Sequence, residues 1–154
     1  FNSVEYIGPK IGGHVTPGGI IYQGDAYPPE FQGAFIGGNL LANAVYWHLL
    51  TPKGSTFQAR HGGTLIDSRD TWFRPIDLLT GPDGCIYVVD WYDQRASHLD
   101  PRDNWDRSNG RVYRVVHGRR KPPEPFDLAA LLRSRGVREP IKIDFANSLI
   151  GSRS

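Results

Sequence analysis

The sequence predicts an all-β fold in which short strands are joined by tight turns. Glycine (18 residues) and proline (12 residues) are frequent, and aromatic residues make up 12% of the chain. This composition is typical of proteins with many short strands. The clearest unit comprises residues 76–80 and 85–89, two apolar runs separated by Gly81-Pro82-Asp83-Gly84. That tetrapeptide has turn chemistry, because proline presets φ and glycine accepts positive φ.

Further strands are predicted on both sides of this hairpin. They form two cycles of four strands, each over roughly 45 residues, which is the period of propeller blades. Similar spacing also suits a sandwich or a small barrel. We therefore predict a partial β-propeller of about two four-stranded antiparallel blades, with a short C-terminal helix. The predicted strands are residues 18–23, 33–38, 43–50 and 55–66 in the first cycle, and 76–80, 85–90, 95–99 and 110–116 in the second.

The end of the chain has a different character. Residues 1–117 are predicted to form the two blades, and residues 118–126 are a charged, proline-rich linker. Residues 127–154 are predicted to form one short helix and an irregular tail. Asp127 is the N-cap candidate and Gly136 closes the helix.

Charge and hydropathy argue against two classes of partner. The formal net charge is +2 with interspersed signs, which gives no electrostatic case for nucleic acid. No run approaches the ~20 apolar residues of a membrane span. Cys85 is the single cysteine and lies in an apolar strand, so it is predicted to pack in the core.

Three stretches resemble a known group of propellers. Residues 18–35 resemble the opening of a blade in quinoprotein sugar dehydrogenases, and residues 72–92 resemble their arginine, strand, Gly-Pro-Asp-Gly, strand element. The run 90–92, followed by His98 and residues 110–115, is similar to the planctomycete-type membrane-bound dehydrogenase family. That family is related to the glucose/sorbosone dehydrogenases that use pyrroloquinoline quinone (PQQ), and it carries a six-bladed propeller.

The resemblance implies that these are the last two blades of such a propeller. Two blades do not close a ring, since propellers have about four to eight. The partners would be the remaining blades or other chains. They would also include a haem c domain or cytochrome outside this sequence, which has no Cys-x-x-Cys-His motif. The resemblance further implies a sugar or alcohol substrate and a location in the periplasm or at the cell surface.

Cofactor contacts are implied at three positions. Arg74 stands where quinone-using relatives contact their anionic cofactor, and a guanidinium suits carboxylates. Asn39 and Asn43 flank a turn where relatives place polar cofactor contacts. The alternative for Arg74 is an ion pair with a nearby aspartate that ties the blades together; the candidates are Asp70, Asp77 and Asp90. The alternative for the asparagines is an ordinary turn role.

Candidate catalytic and substrate-binding residues follow the strands. His14 lies in a glycine-rich loop, and Asp90 and His98 could form a pair in which the carboxylate orients the imidazole as a base. Trp91 and Tyr92 could form an aromatic wall for a sugar ring, although most such aromatics belong to the core. The remaining histidines are predicted at strand or surface positions; they are His48, His61 and His117.

Three acids in one polar loop are the metal candidates. Asp100, Asp103 and Asp106 could bind Ca²⁺, a hard ion that takes oxygen ligands. Arg102 and Arg107 lie between and beside them and favour local ion pairs instead.

Two functions of different classes follow. The first is the C-terminal part of a quinoprotein-like dehydrogenase that oxidises a sugar or alcohol, with PQQ and Ca²⁺ as cofactors and electron transfer to haem c. On this hypothesis, the chain by itself is inactive. The second is a non-catalytic propeller module that binds protein or polysaccharide. Trp72 favours the second, because PQQ-binding relatives tend to carry an arginine there. A self-contained small β protein is a third possibility.

Overall fold

The computed structural model describes residues 5–10, 17–96 and 105–118, and these ranges form an all-β structure. The predicted fold class is confirmed at this level. Within these ranges, a single 3-10 turn, Pro29–Phe31, interrupts the strands. The eight strands of the described ranges are β1 (Glu5–Ile7), β2 (Gly19–Ile21), β3 (Phe35–Asn39), β4 (Ala44–Lys53), β5 (Thr56–Asp67), β6 (Pro75–Thr80), β7 (Ile86–Asp90) and β8 (Arg111–Val115).

The first sheet has the strand order β1-β5-β4-β3-β2. Strands β2 to β5 form an antiparallel meander, while β1 pairs with β5 in parallel. The prediction of four strands did not include β1. It is held at the edge by long-range contacts, because Lys53 and Gln58 both bond to the carboxylate of Glu5. The predicted outer strand over residues 55–66 is one continuous strand, β5.

The second sheet has the strand order β6-β7-β8 and is antiparallel. The predicted turn chemistry joins β6 to β7: Gly84 has a φ of 74°, and its N–H donates to the carbonyl of Gly81 at 3.0 Å. The carboxylate of Asp83 in this turn meets Arg114 of β8 at 2.6 Å. A further strand was expected over residues 95–99. Residues 95 and 96 are not in a strand, and residues 97–99 lie outside the described ranges.

The two sheets meet where β6 lies against β2 and β3. Glycines permit the close approach: a Cβ at Gly38 would lie 2.5 Å from the carbonyl oxygen of Pro75, and one at Gly18 would lie 2.7 Å from Asp77 Cα. Cys85 is fully buried here, as predicted. The buried hydrophobic cluster comprises Tyr22, Ala26, Tyr27, Ile36, Val45, Phe73, Leu78, Cys85, Ile86 and Val88.

Two tyrosine hydroxyls cross this core. The hydroxyl of Tyr22 accepts from Ala26 N at 2.8 Å and donates to the carbonyl of Gly84 at 2.7 Å. The hydroxyl of Tyr27 accepts from Ile86 N at 3.2 Å and donates to the carbonyl of Val115 at 2.7 Å. Burial raises the pKa of Tyr27 to about 12. Both hydroxyls therefore remain neutral donors that tie the loop after β2 to the second sheet.

Except for Gly118, the predicted linker 118–126 and the helix and tail over residues 127–154 lie outside the described ranges. Their boundaries stay predictions. Among the described residues, no helix has the length and apolar character that a membrane crossing requires.

Candidate functional site

Arg74 stands immediately before β6 and joins the two sheets. Its backbone is fixed by the end of β7, because its N–H donates to Asp90 Oδ1 at 2.7 Å and its carbonyl accepts from Trp91 N at 3.0 Å. Its side chain is only 8% exposed. The guanidinium donates from Nη1 to the carbonyl of Leu40 at 2.8 Å and from Nη2 to that of Gln94 at 2.9 Å. The residue therefore connects the turn after β3 with the loop after β7 through carbonyls.

Two buried polar atoms at this junction have no hydrogen-bond partner within the described part of the chain. They are Arg74 Nε and Asp90 Oδ2. Asp90 is 1% exposed, and its other oxygen, Oδ1, accepts from the N–H groups of Arg74 and Tyr92. Burial lowers the pKa of Arg74, while the charges of nearby aspartates, Asp93 first, oppose that shift. Buried polar groups are normally paired, so such a leftover pair indicates a place where water or a ligand belongs.

A pocket of about 280 Å³ opens beside Arg74. Trp91 and Trp105 meet edge to face with ring centroids 5.9 Å apart, and Arg95 Cζ lies 4.4 Å from the centroid of Trp105. Trp91 is 45% exposed. Indole faces and guanidinium groups together suit a planar, negatively charged ligand. The lining residues are Leu40, Arg74, Ile76, Trp91, Arg95, Ala96, Trp105 and Arg107.

Of the two residues predicted as an aromatic wall, Trp91 lines this pocket and Tyr92 does not. Tyr92 has a φ of 48°, which turns the chain away from the end of β7. Its ring is covered by Arg111 Cζ at 3.5 Å and lies 5.7 Å from the ring of Trp72. The contacts of Tyr92 are thus with β8 and with the segment before β6.

Asn39 and Asn43 shape the turn between β3 and β4. Asn39 Oδ1 accepts from Ala42 N at 3.0 Å. Asn43 has a φ of 54°, and its Nδ2 donates to the carbonyls of Thr71 at 3.2 Å and Phe73 at 2.8 Å. These contacts hold the turn against the segment that leads into β6. Within the described residues, neither asparagine lines the pocket, but both fix the turn that carries Leu40 and hence the carbonyl that Arg74 binds.

Of the three acids predicted to bind Ca²⁺, only Asp106 lies in the described ranges. Its carboxylate accepts from Ser108 N at 2.8 Å, Ser108 Oγ at 2.6 Å and Asn109 Nδ2 at 2.8 Å. The bonds from Ser108 and then Asn109 lower the pKa of Asp106. Among the residues described, no three potential ligands cluster into a metal site. The other calcium candidates, Asp100 and Asp103, and the histidines proposed as bases, His14 and His98, lie outside the described residues.

Sequence reasoning missed much of the pocket. Arg95, Trp105 and Arg107 lie on the segments on either side of residues 97–104, and only the fold brings them beside Arg74. One signal was available in the sequence. Trp105 is an aromatic residue in an otherwise polar, Asp- and Arg-rich loop, where a purely solvated role gives no reason for an indole.

No curated protein and no solved structure matches this chain. A family model described as "Domain of unknown function (DUF7133)" matches residues 12–119, which is more than half of the chain and includes both sheets from β2 onward as well as the pocket. The chain therefore belongs to the DUF7133 family.

Proposed function

We propose that this chain is the C-terminal part of a quinoprotein-like dehydrogenase propeller that oxidises a sugar or alcohol. Electrons would pass to a quinone and onward to haem c. The observation that carries this proposal is the pocket in which three arginines and two tryptophans surround about 280 Å³. The resemblance of residues 72–92 to quinoprotein blades supports it independently.

The pocket residues fit a PQQ-type cofactor, which is planar, aromatic and anionic. Carboxylates pair well with guanidinium groups, and fused rings stack on indole faces. Arg74 lines the pocket, and its buried Nε has no hydrogen-bond partner among the described residues. Arg95 and Arg107 add positive charge to the lining. A cavity of this size lies near the lower end of ligand pockets, which suits one part of such a molecule with the rest held by other blades.

When bound, the quinone would supply the hydride acceptor. Within this chain, Arg74, Arg95 and Arg107 would hold its carboxylates, and Trp91 would set the plane of its rings. Asp90 would keep Arg74 in place through its Oδ1 contact. We assign the base that takes the hydroxyl proton and most Ca²⁺ ligands to other blades. Asp90, His14 and His98 remain proposed contributors from this chain.

A non-catalytic module that binds polysaccharide or protein is the second candidate. Arg74 already donates to two backbone carbonyls, which fits a structural role, and Trp72 occupies the position of a first arginine. The exposed ring of Trp91 would then stack on a sugar.

Titration with PQQ in the presence of Ca²⁺, followed by tryptophan fluorescence, separates the two candidates. The dehydrogenase proposal predicts saturable quenching that weakens about tenfold or more in Arg95→Gln, since a charge-assisted hydrogen bond is worth roughly 1.5–3 kcal/mol. Arg69→Gln is the matched control, because Arg69 is exposed and does not line the pocket. Absence of quenching in the longest available form of the protein, together with retardation in a polysaccharide-containing gel, would favour the binding module.

A further inference from the structure

A pair of histidines lies on the face of the first sheet that points away from the buried core. His48 of β4 and His61 of β5 are directly paired across the two strands. Trp47, the neighbour of His48, packs against the buried core. Because side chains alternate along a strand, His48 points away from that core. The pair is therefore separate from the arginine–tryptophan pocket.

The two imidazoles lie close together, and one nitrogen of each has no partner among the described residues. Their ring centroids are 5.4 Å apart and the rings are inclined at 56°, so they are not stacked. Nδ1 of each ring is buried and has no hydrogen-bond partner among the described residues. Two neighbouring unpartnered nitrogens need an explanation, because each loses its hydration on burial without gaining a bond.

The surroundings keep these rings in place and favour the neutral form of His48. Tyr6 of β1 meets His48 edge to face at 5.7 Å, and Phe35 of β3 lies 6.1 Å from His48 on another side. Tyr46 contacts His61 at 5.8 Å. Burial, followed by the charge of His61, lowers the pKa of His48. A neutral imidazole has the lone pair that a metal ion requires.

We propose that His48 and His61 form a two-histidine site for a divalent transition-metal ion such as Zn²⁺, bound through Nδ1 of both rings. With Zn–N bonds of about 2.0–2.1 Å and tetrahedral angles, the centroids of two imidazoles that share one ion lie about 5 Å apart. The observed centroid distance of 5.4 Å is close to this value, and binding requires the rings to turn so that both buried Nδ1 atoms face the ion and its water ligands. Water completes the coordination. The proposal does not depend on the dehydrogenase function, which uses the pocket beside Arg74.

The site can be tested by titrating the metal-free chain with Zn²⁺ in a calorimeter and with Co²⁺ in an absorption spectrometer. We expect one ion per chain, with affinity lowered about tenfold or more in either His48→Gln or His61→Gln. His117→Gln is the matched control, since His117 is exposed after β8 and should leave binding unchanged. Binding should also weaken below about pH 6, where protons compete for the imidazoles.

Circular dichroism in EDTA checks that each variant is folded before metal is added. If one variant does not fold, the other still tests the site, as does the change in the imidazole nitrogen shifts of the unsubstituted chain when Zn²⁺ is added. The proposal is overturned if both single variants bind like the unsubstituted chain, or if His117→Gln loses as much affinity as they do.

Discussion

The two ends of the second sheet differ in whether their buried polar groups have hydrogen-bond partners. At the turn between β6 and β7, the hydroxyls of Tyr22 and Tyr27 each donate one hydrogen bond and accept one. At the other end, where β6 begins and β7 finishes, Arg74 Nε and Asp90 Oδ2 are left without partners among the described residues. The pocket opens at that second end.

This difference separates stability from function within one sheet. At the tyrosine end both hydroxyls are satisfied internally, so they hold the fold together. The Arg74 end meets its structural needs with part of each side chain, through Asp90 Oδ1 and the two Nη groups. The Nε donor and the Oδ2 acceptor stay without partners among the described residues, and the pocket that we assign to the ligand opens beside Arg74.

The largest expected effect on the free energy of unfolding comes from removing the Asp90 carboxylate. Asp90→Ala leaves the N–H groups of Arg74 and Tyr92 without their acceptor in a buried place. At about 1–3 kcal/mol for each stranded donor, the free energy of unfolding should fall by about 2–6 kcal/mol. Urea denaturation measures this loss. A fall below about 1 kcal/mol would show that Asp90 does not hold this end of the sheet.

The next effect concerns the tyrosine end. Tyr22→Phe strands Ala26 N and the carbonyl of Gly84, and should lower the free energy of unfolding by about 1–3 kcal/mol. Tyr6→Phe is the control, because the Tyr6 hydroxyl bonds to Pro9 at the exposed surface, and it should change stability by no more than about 0.5 kcal/mol. If the two variants lowered the free energy of unfolding equally, the structural role assigned to the buried Tyr22 hydroxyl would be contradicted.

Asp90→Asn sharpens the comparison, because it keeps the Oδ1 acceptor while replacing the unpartnered oxygen with an NH2 group and removing the negative charge near Arg74. We expect a smaller cost than that of Asp90→Ala, because the N–H groups of Arg74 and Tyr92 keep their acceptor. The two variants should be compared in the same denaturant series. A cost as large as that of Asp90→Ala would mean that the second oxygen of Asp90 also supports the fold.

The smallest expected effect on stability concerns His48, whose Nδ1 is also buried and unpartnered within the described ranges. Because its folded pKa is lowered from 6.5, its contribution to stability is fully present above about pH 6.5. Below that pH the unfolded chain binds the proton more readily, so stability falls as the pH drops toward the folded pKa. Unfolding in EDTA between pH 7.5 and 5 should show a shallower fall for His48→Gln than for the unsubstituted chain. Identical pH profiles would contradict the lowered pKa.

Local patterns predicted the parts of the fold that local chemistry determines. The turn at residues 81–84, the strands on both sides of it and the burial of Cys85 were all predicted from the sequence. β1 was not, because a three-residue strand that pairs in parallel with residues about fifty positions away leaves no local signature. Of the tyrosine network, the sequence showed aromatic residues but not the backbone groups that their hydroxyls reach.

The sequence predicted only those residues of the candidate site that lie next to a recognisable strand. Arg74 and Trp91 stand beside the predicted strands, and both line the pocket. Arg95, Trp105 and Arg107 reach it only through the path of the chain between β7 and β8. His48 and His61 were predicted at strand or surface positions, and their pairing required the register of β4 with β5.

We propose that the pocket lined by Trp91 and Trp105 binds an anionic quinone. The four tryptophans of the chain allow a direct test of this binding. Their indole N–H signals in a ¹⁵N correlation spectrum can be assigned with single Trp→Phe variants and followed as PQQ is added. We predict that the signals of Trp91 and Trp105 shift and saturate together. Those of Trp47, stacked on Phe31, and Trp72, beside Tyr92, should stay in place. Unchanged signals, or equal shifts of all four, would contradict the assignment of this pocket.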